Sequence, residues 1–436
     1  MADTVRFIHT ADLHLDSPLR SLAARNPALG DLLRDASRRL LQRLIDTALE
    51  EQVDALLIAG DLFDGEQEDI HTAMVLQREL RRLQAQDIPV FIIWGNHDAE
   101  TRFLESKVLD LPDNVHAFDG RGGKQYFAND RAVVHGVSFT RRKTPESLLG
   151  KYGKADPHCF NIGMLHTSLT GAEGHNDYAP CTVNELIDKG FDYWALGHIH
   201  KRQIHHEQPA IVMPGNPLGR HINEAGERSI SLVTLASDSK PDIRRINLAP
   251  VRFERLPVSL DSIDESKVAY ERMLDALNRC RESMETDILI VRLELEGHSV
   301  LASSYQRDRQ TLLVALQTEF EHRDDLWIDS ISAQSLQLPE AHDDGRESNH
   351  SIAAELQTLV GNELLDSIAL QEAVADDLRL MTKALPADLN TMFGRTPEEQ
   401  REFIRRSLLP DGAVWMQRQL ESLAAVDKDA DEATQP

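Results

Sequence analysis

The first 100 residues alternate between short apolar runs and helical patterns, and this alternation constrains the fold more than any other feature of the sequence. Residues 4–11 (TVRFIHTA), 53–60 (VDALLIAG) and 88–95 (IPVFIIWG) are short apolar runs, which are typical of buried strands. Between them, residues 31–52 and 70–86 repeat apolar residues at helical spacing. This strand–helix–strand–helix–strand series predicts a parallel sheet with right-handed crossover connections.

Strand patterns dominate after residue 115, with only short helical segments between them. They are RAVVHGVSF (131–139), FNIGMLHT (160–167), FDYWALGH (191–198), PAIVMPGN (209–216), RSISLVTL (228–235), DIRRINLAP (242–250) and VRFERLPVSL (251–260). These runs predict a second sheet packed on the first, with helices on both outer faces. The expected fold class is therefore α/β, a four-layer α-β-β-α sandwich over residues 1–255.

Three further segments follow the predicted sandwich. Residues 256–338 alternate helix and strand patterns again, which predicts a small α/β cap domain. Residues 339–351 are polar and rich in turn formers, so they are expected to form a linker. Residues 352–426 show helical patterns with apolar faces, which favours a helical partner-binding region. The acidic tail, 427–436, is expected to be disordered.

Composition limits the cellular context and the ligands. No run of 18 apolar residues is present, so no membrane span is expected. The three cysteines form no CxxC pair, and the N-terminus reaches a catalytic-type motif within twelve residues, so we expect a cytoplasmic protein without a leader. The net charge of −25 repels phosphate backbones at long range. A DNA-active chain would need local cations, bound metal or a partner.

Side chains that can bind metal follow five of the predicted strands. In a parallel sheet such positions line one crevice. Two carboxylates, one amide and four imidazoles exceed what one tetrahedral ion binds, so two ions that share a ligand are expected. Oxygen and imidazole ligands without thiolate favour manganese, with iron or zinc as alternatives. Asp61 is the natural bridging ligand, through its two oxygens. The predicted ligands are Asp12, His14, Asp61, Asn96, His166, His198 and His200.

Residues next to these ligands are candidates for catalysis and substrate contact. His97 could contact a phosphate oxygen or protonate the leaving oxygen. Asp64 is expected to accept a hydrogen bond from His14 or another ligand, and Asp98 to orient His97. The candidates for phosphate or DNA contact are Lys201, Arg202, Arg220 and His221.

Five motifs in order, within residues 6–200, carry a resemblance to a known family. Asp-x-His, Gly-Asp-x-x-Asp, Gly-Asn-His-Asp, an isolated histidine and Gly-His-x-His resemble the calcineurin-like metallophosphoesterases. Within that group, FIHTADLHLDSPL (7–19), YAPCTVNEL (178–186) and PGNPLGRHINE (214–224) are similar to DNA-repair exonuclease subunits of the SbcD type, and most closely to the YhaO type.

This resemblance implies roles for individual residues. One metal would be held by Asp12, His14, Asp61 and His200, and the other by Asp61, Asn96, His166 and His198, with His97 as the catalytic histidine. The sequence departs from the archaeal and eukaryotic nucleases at Asp64, where those proteins carry histidine, so an exonuclease-positioning role is not transferred to that position.

The resemblance also implies partners. Related nucleases work with a separately encoded SMC-like ATPase, and this sequence has no GxxxxGK[ST] motif of its own. The small domain would be a DNA-facing cap, and a homodimer is implied.

Three functions remain open at this point. The leading hypothesis is a two-metal phosphodiesterase acting on DNA ends, in which a metal-bridging hydroxide attacks the phosphorus in line. The first alternative is a metallophosphoesterase of small phosphodiesters, nucleotides or phosphoprotein. The second is a DNA-tethering scaffold with a vestigial metal site, and the complete ligand set with His97 argues against it.

Overall fold

The computed structural model describes residues 4–15, 17, 27–65, 70–100, 110–169 and 178–339, together with positions 372, 374, 375, 403 and 404. Contacts divide the chain into two units, Met1–Gln337 and Leu338–Pro436. The predicted domains 1–255 and 256–338 fall within the first unit, apart from residue 338. Except for residue 339 and the five isolated positions, the predicted linker, helical region and acidic tail lie outside the described residues.

Fifteen strands and six helices form the described part of the first unit. The strands are β1 Thr4–Thr10, β2 Ala55–Ala59, β3 Val90–Ile93, β4 Val115–Ala117, β5 Gly123–Phe127, β6 Ala132–Gly136, β7 Phe160–His166, β8 Tyr193–Gly197, β9 Gln203–Glu207, β10 Ala210–Met213, β11 Ile230–Ala236, β12 Asp242–Ile246, β13 Val251–Ser259, β14 Ile288–His298 and β15 Leu326–Gln337. The helices are α1 Pro27–Glu50, α2 Ile70–Gln84, α3 Val183–Asp188, α4 Ser266–Glu282, α5 Ala302–Arg307 and α6 Arg309–Glu319. Short 3₁₀ turns cover Asp98–Glu100, Leu149–Lys151 and Ile222–Glu224.

Two six-stranded sheets form the centre of the sandwich. The first has the order β12-β11-β1-β2-β3-β4, and the second β5-β6-β7-β8-β10-β9. Strands β1 to β4 are parallel, as are β6, β7, β8 and β10, while the remaining strands pair antiparallel at the edges. The predicted α/β sandwich is therefore confirmed, and its parallel strands send their carboxyl ends to one rim of each sheet.

Three apolar cores define the layers. Side chains such as Phe7, Phe91 and Tyr193 fill the space between the two sheets. The leucine-rich face of α1 and the buried face of α2 cover the outer side of the first sheet, with Leu40 and Leu76 fully buried. The outer side of the second sheet packs against α3 and the irregular segments around Leu149. The fourth layer is thus mostly turns and loops, since α3 is only six residues long.

The third sheet is small and parallel, with the order β13-β14-β15, and it packs on α4, α5 and α6 through its own core. One strand was assigned wrongly from the sequence. VRFERLPVSL was grouped with the large sheets, but β13 pairs with β14 from Val251 to Ser259. The sequence pattern of this strand does not show which sheet it joins, because that depends on pairing with a strand about 40 residues away.

Among the helices in the described ranges, none combines the length and the apolar character that a bilayer span requires.

Candidate metal centre

The predicted ligands converge at the rim where the parallel strands end. Strands β1, β2 and β3 of the first sheet lead into Asp12, Asp61 and Asn96, while β7 and β8 of the second sheet lead into His166 and His198. Since the two sheets face each other, their carboxyl ends meet there. Five of the ligands are buried and two are partly buried. The buried ones are Asp12, His14, Asp61, Asn96 and His166.

One group of donors comprises Asp12, His14 and His200, whose candidate ligand atoms all lie within 4.8 Å of one another. The Nε2 atoms of His14 and His200 are 3.1 Å apart. Asp12 is held in place because both of its carboxylate oxygens accept from the backbone N–H of His198, at 3.1 Å each. Three donors from two sheets therefore face a common point.

A second group comprises Asp61, His166 and His198, again with ligand atoms within 4.8 Å of one another. Asn96 joins it, because its Oδ1 lies 3.1 Å from both His166 Nε2 and His198 Nδ1. Each group contains members of one of the two ligand sets that the resemblance implies, and the first group lacks Asp61.

Asp61 lies between the two groups. Its Oδ2 is 3.4 Å from His166 Nε2 and 3.9 Å from His14 Nε2. Its Oδ1 instead accepts from the backbone N–H of His97 at 3.0 Å. Oδ2 is therefore the Asp61 oxygen that the measured distances place near imidazoles of both groups.

In the second group, the Asp61 carboxylate and the His166 imidazole stabilise each other's charged forms. Burial alone would raise the pKa of Asp61, but the neighbouring His166 imidazole outweighs it and holds the pKa well below its usual range. For His166, burial alone would lower the pKa. The neighbouring Asp61 carboxylate outweighs this effect and raises the pKa to about 9. This site therefore favours positive charge next to Asp61.

The donor geometry fits divalent cations. His166 Nδ1 lies 3.0 Å from the Ala59 carbonyl, which can only accept, so the ring proton is on Nδ1 and the Nε2 lone pair faces two oxygens. Such facing lone pairs require a cation or a proton between them. Metal–nitrogen bonds of about 2.1 Å at right angles place adjacent ligands about 3 Å apart. The donor separations of 3.1 Å in both groups agree with that spacing.

His97 contacts Asp64 rather than Asp98. Its Nδ1 lies 2.9 Å from Asp64 Oδ1, which is also 3.4 Å from His14 Nδ1. Burial lowers the pKa of His97, but its hydrogen bond to Asp64 prevails and raises the pKa above the ordinary value. Asp98, which we expected to orient His97, instead accepts from the backbone N–H groups of Leu62, Phe63 and Gly95 at 2.8–3.2 Å. It thereby holds the two ligand-bearing loops together.

The four cationic candidates occupy different surroundings. Lys201 is exposed, and His221 lies 3.7 Å from Glu224. Arg220 is close to the cluster, with Nη1 3.8 Å from Asp64 Oδ2. Arg202 does not join them, because its guanidinium donates to Ser231 Oγ in the first sheet at 2.5 Å.

Sequence reasoning missed three polar residues behind His200. These are Glu224, whose Oε1 lies 2.7 Å from His200 Nδ1, and Asn216 and Arg228, which both hydrogen bond to the segment around Glu224. Asn216 and Glu224 occur in the stretch PGNPLGRHINE, so the signal was present. No spacing rule relates a carboxylate to a histidine 24 residues before it, so the sequence does not predict the contact between Glu224 and His200.

Comparison with known proteins agrees with this geometry. Residues 5–202 match the family model described as calcineurin-like phosphoesterase. The chain is 34% identical over 303 residues, 68% of its length, to an uncharacterized metallophosphoesterase YhaO of Bacillus subtilis, of which 73% is covered. The chain belongs to the calcineurin-like metallophosphoesterases.

Two further similarities place it within that family. Residues 253–335 match the middle domain of metallophosphoesterase YhaO. The chain is also 26% identical over 317 residues to the DNA double-strand break repair protein Mre11 of Sulfurisphaera tokodaii, covering 70% of this chain and 77% of that protein. This metallophosphoesterase is therefore similar to a protein named for DNA double-strand break repair.

Proposed function

We propose that this metallophosphoesterase is a two-metal phosphodiesterase that acts on DNA ends, as a nuclease subunit in DNA repair. The observation that carries the proposal is the convergence of two donor groups on Asp61 Oδ2, with the His97–Asp64 pair beside them. The similarity to a double-strand break repair protein supports DNA as the substrate.

Two divalent ions would be held by the donors of the two groups, one by Asp12, His14, Asp61 and His200 and the other by Asp61, Asn96, His166 and His198. Oxygen and imidazole donors without thiolate favour manganese over softer ions. When bound, the ions supply a water nucleophile activated at neutral pH and neutralise charge on the phosphoryl oxygens. Burial of the carboxylates excludes bulk water and strengthens these electrostatic interactions.

His97 is the proposed catalytic residue. Its Nδ1–H donates to the Asp64 carboxylate, which fixes the ring orientation and favours the imidazolium form. Nε2–H is then the group that donates to a phosphoryl oxygen or protonates the leaving oxygen. Asp64 acts through His97 and His14, so it is a positioning residue.

A small phosphodiester or nucleotide is the second candidate substrate. It is favoured by the net charge of −25 and by the acidic neighbours of Arg220, whose side chain lies near both Asp64 and Glu224. Arg202 contacts Ser231 instead of the rim, which removes one candidate for backbone phosphate binding. The exposed Lys201 argues against a small substrate, because it follows His200 directly and is available to bind a polyanion.

The proposed function also includes a separately encoded SMC-like ATPase that binds region 352–426, a homodimeric assembly and action in the cytoplasm. The absence of a GxxxxGK[ST] motif from the sequence supports an ATPase in trans. The ATPase would also compensate for the unfavourable long-range charge by contributing to DNA binding.

The test offers the manganese-loaded chain four substrates: single-stranded DNA, blunt duplex DNA, cyclic nucleotides and an aryl phosphodiester. His97→Ala serves as the variant, because it removes the proton donor and keeps all seven metal ligands. We expect DNA cleavage that falls at least about 100-fold in the variant.

Two other results would point elsewhere. Turnover of the small esters with DNA untouched would support the second candidate. DNA binding without turnover of any substrate would support a tethering role and contradict both enzymatic proposals.

A further inference from the structure

Glu224 lies directly behind the metal ligand His200. Its side chain is only 9% exposed, and the residue is the last of the 3₁₀ turn Ile222–Glu224. Oε1 is 2.7 Å from His200 Nδ1, while Oε2 accepts from Asn216 Nδ2 at 2.8 Å and from the backbone N–H of Arg220 at 2.9 Å. Both carboxylate oxygens are therefore engaged, and the orientation of the group is fixed.

Arg228 links the backbone of Glu224 and the Asn216 side chain, which donates to the carboxylate, to the backbone of His200. One guanidinium nitrogen, Nη1, donates to the His200 carbonyl at 2.6 Å and to Asn216 Oδ1 at 2.7 Å. Its Nε donates to the Glu224 carbonyl at 3.0 Å. The histidine backbone, the histidine ring and the carboxylate thus belong to one hydrogen-bonded network.

The contacts define which ring nitrogen of His200 carries the proton. If Nδ1 were a lone pair, two acceptors would face each other at 2.7 Å across the contact with Glu224. Arg220 Nη2 also lies 3.2 Å from Nδ1, but the shorter contact to the carboxylate sets the tautomer. With the proton on Nδ1, the lone pair is on Nε2, the atom 3.1 Å from His14 Nε2.

We propose that Glu224 is a positioning residue of the metal centre, which fixes His200 in the tautomer and orientation that bind metal. A carboxylate on the distal nitrogen also makes the imidazole a stronger ligand. The inference rests on the proposed two-metal centre and is independent of whether the substrate is DNA.

The first test compares two variants with the same change of charge. Glu224→Gln is nearly isosteric, but its side-chain amide carries N–H donors. These donors would face groups that themselves donate to the carboxylate of Glu224. Glu227→Gln alters a carboxylate three residues away that is 58% exposed and pairs with Arg245 on the surface. Manganese is titrated into the metal-free full chain by calorimetry. We expect one of two ions to bind roughly 10- to 100-fold more weakly in Glu224→Gln, with wild-type binding in Glu227→Gln.

The outcomes separate this inference from the proposed function. A wild-type chain that binds no manganese would contradict the metal centre itself. Two ions bound with wild-type affinity in Glu224→Gln would overturn the positioning role alone.

A double-variant comparison excludes a merely structural effect. If Glu224 acts through His200, the double variant with Glu224→Gln and His200→Ala should bind metal with the same affinity as His200→Ala alone. A further tenfold loss in the double variant would show that Glu224 acts by another route.

The unaltered chain provides a measurement that does not depend on how the variants fold. Two-bond ¹H–¹⁵N spectra of the zinc-loaded, ¹⁵N-histidine-labelled chain report the tautomer of each ring, and His200→Ala assigns the relevant signals. We expect His200 to carry its proton on Nδ1. A proton on Nε2 would overturn the inference.

Discussion

Four of the seven predicted ligands adopt left-handed backbone angles. Asp12, His14, Asp61 and His198 have φ values of 54°, 42°, 50° and 101°. Each such residue costs on the order of 1–3 kcal/mol and persists where surrounding contacts hold it. Here Asp12 N and His14 N donate to the Gly60 and Asp61 carbonyls, at 3.0 Å each. Hydrogen bonds across the rim therefore hold a strained backbone, and this backbone directs several candidate metal-ligand atoms to one place.

The same crowding makes Asp61 the most sensitive single residue. Asp61→Asn keeps the size of the side chain and the acceptor for His97 N–H, but removes the charge next to both donor groups. We expect loss of tight binding of both manganese ions and at least about a 100-fold drop in phosphodiesterase turnover. Metal analysis after gel filtration checks this, with Asp119→Asn, an exposed charge deletion, as the control. Two ions retained with full turnover would refute the shared-ligand assignment.

His9 makes stability depend on pH at a position outside the candidate metal centre. It is buried between the sheets, 2.9 Å from the Tyr193 hydroxyl and 3.0 Å from the Leu196 carbonyl. Burial lowers the pKa of His9 to about 3. The unfolded chain therefore binds the extra proton first, with a pKa of about 6.5, and stability falls as pH drops below that value.

The magnitude of this effect can be tested with the metal-free chain. We expect His9 to remove about 2 kcal/mol of unfolding free energy between pH 7 and pH 5. His9→Phe lacks the titrating group, so it should be less stable at pH 7 but lose about 2 kcal/mol less over that interval. Urea unfolding at a series of pH values measures both. Parallel pH profiles for the two chains would show that His9 has the same pKa in the folded and unfolded states.

At the scale of elements, the approach of β2 to β7 depends on one glycine. Gly60 has φ +92°, and a Cβ added there would lie 2.3 Å from His166 Nδ1. Gly190 also has positive φ, +73°, but no atom lies within 4 Å of an added Cβ. Alanine at either position incurs the backbone strain, and only alanine at 60 displaces a predicted metal ligand.

Gly60→Ala should therefore weaken manganese binding at least about tenfold, while Gly190→Ala should lower the melting temperature and leave metal affinity unchanged. Calorimetric titration and thermal unfolding of both variants separate the two effects. Equal losses of metal affinity would mean that backbone strain, rather than the displaced His166, controls the site.

The elements also show how far sequence reasoning reached. Strands β1, β2 and β3 and helices α1 and α2 were predicted from local periodicity, because each buries one face or both. The candidate ligands could be named from the sequence because each lies at or shortly after the end of a strand. Contacts set by tertiary folding were not, including Glu224 behind His200 and Arg202 against Ser231. The short strands β4, β5 and β9 were missed, since at most one residue in each is fully buried.

At the scale of the whole molecule, net charge and site chemistry oppose each other. The chain carries −25, so its long-range field repels polyanions. The carboxylates of the donor groups place part of this negative charge at the rim, where bound divalent ions would offset it locally. Substrate attraction in the proposed function therefore acts over short distances, through the ions and nearby cations such as Lys201.

The division of the chain into two units predicts that the first works alone. All seven predicted ligands, His97 and Glu224 lie within Met1–Gln337, and among the described residues the apolar cores draw on this unit. A chain ending at residue 339 should therefore fold, bind two manganese ions with the affinity of the full chain and hydrolyse an aryl phosphodiester at a similar rate. It should lose binding to an SMC-like ATPase, because the proposed docking region 352–426 is removed. Circular dichroism, calorimetry and co-purification with such an ATPase test these points. Loss of metal binding on truncation would mean that the second unit supports the centre, and undiminished ATPase binding would place the docking surface on the first unit.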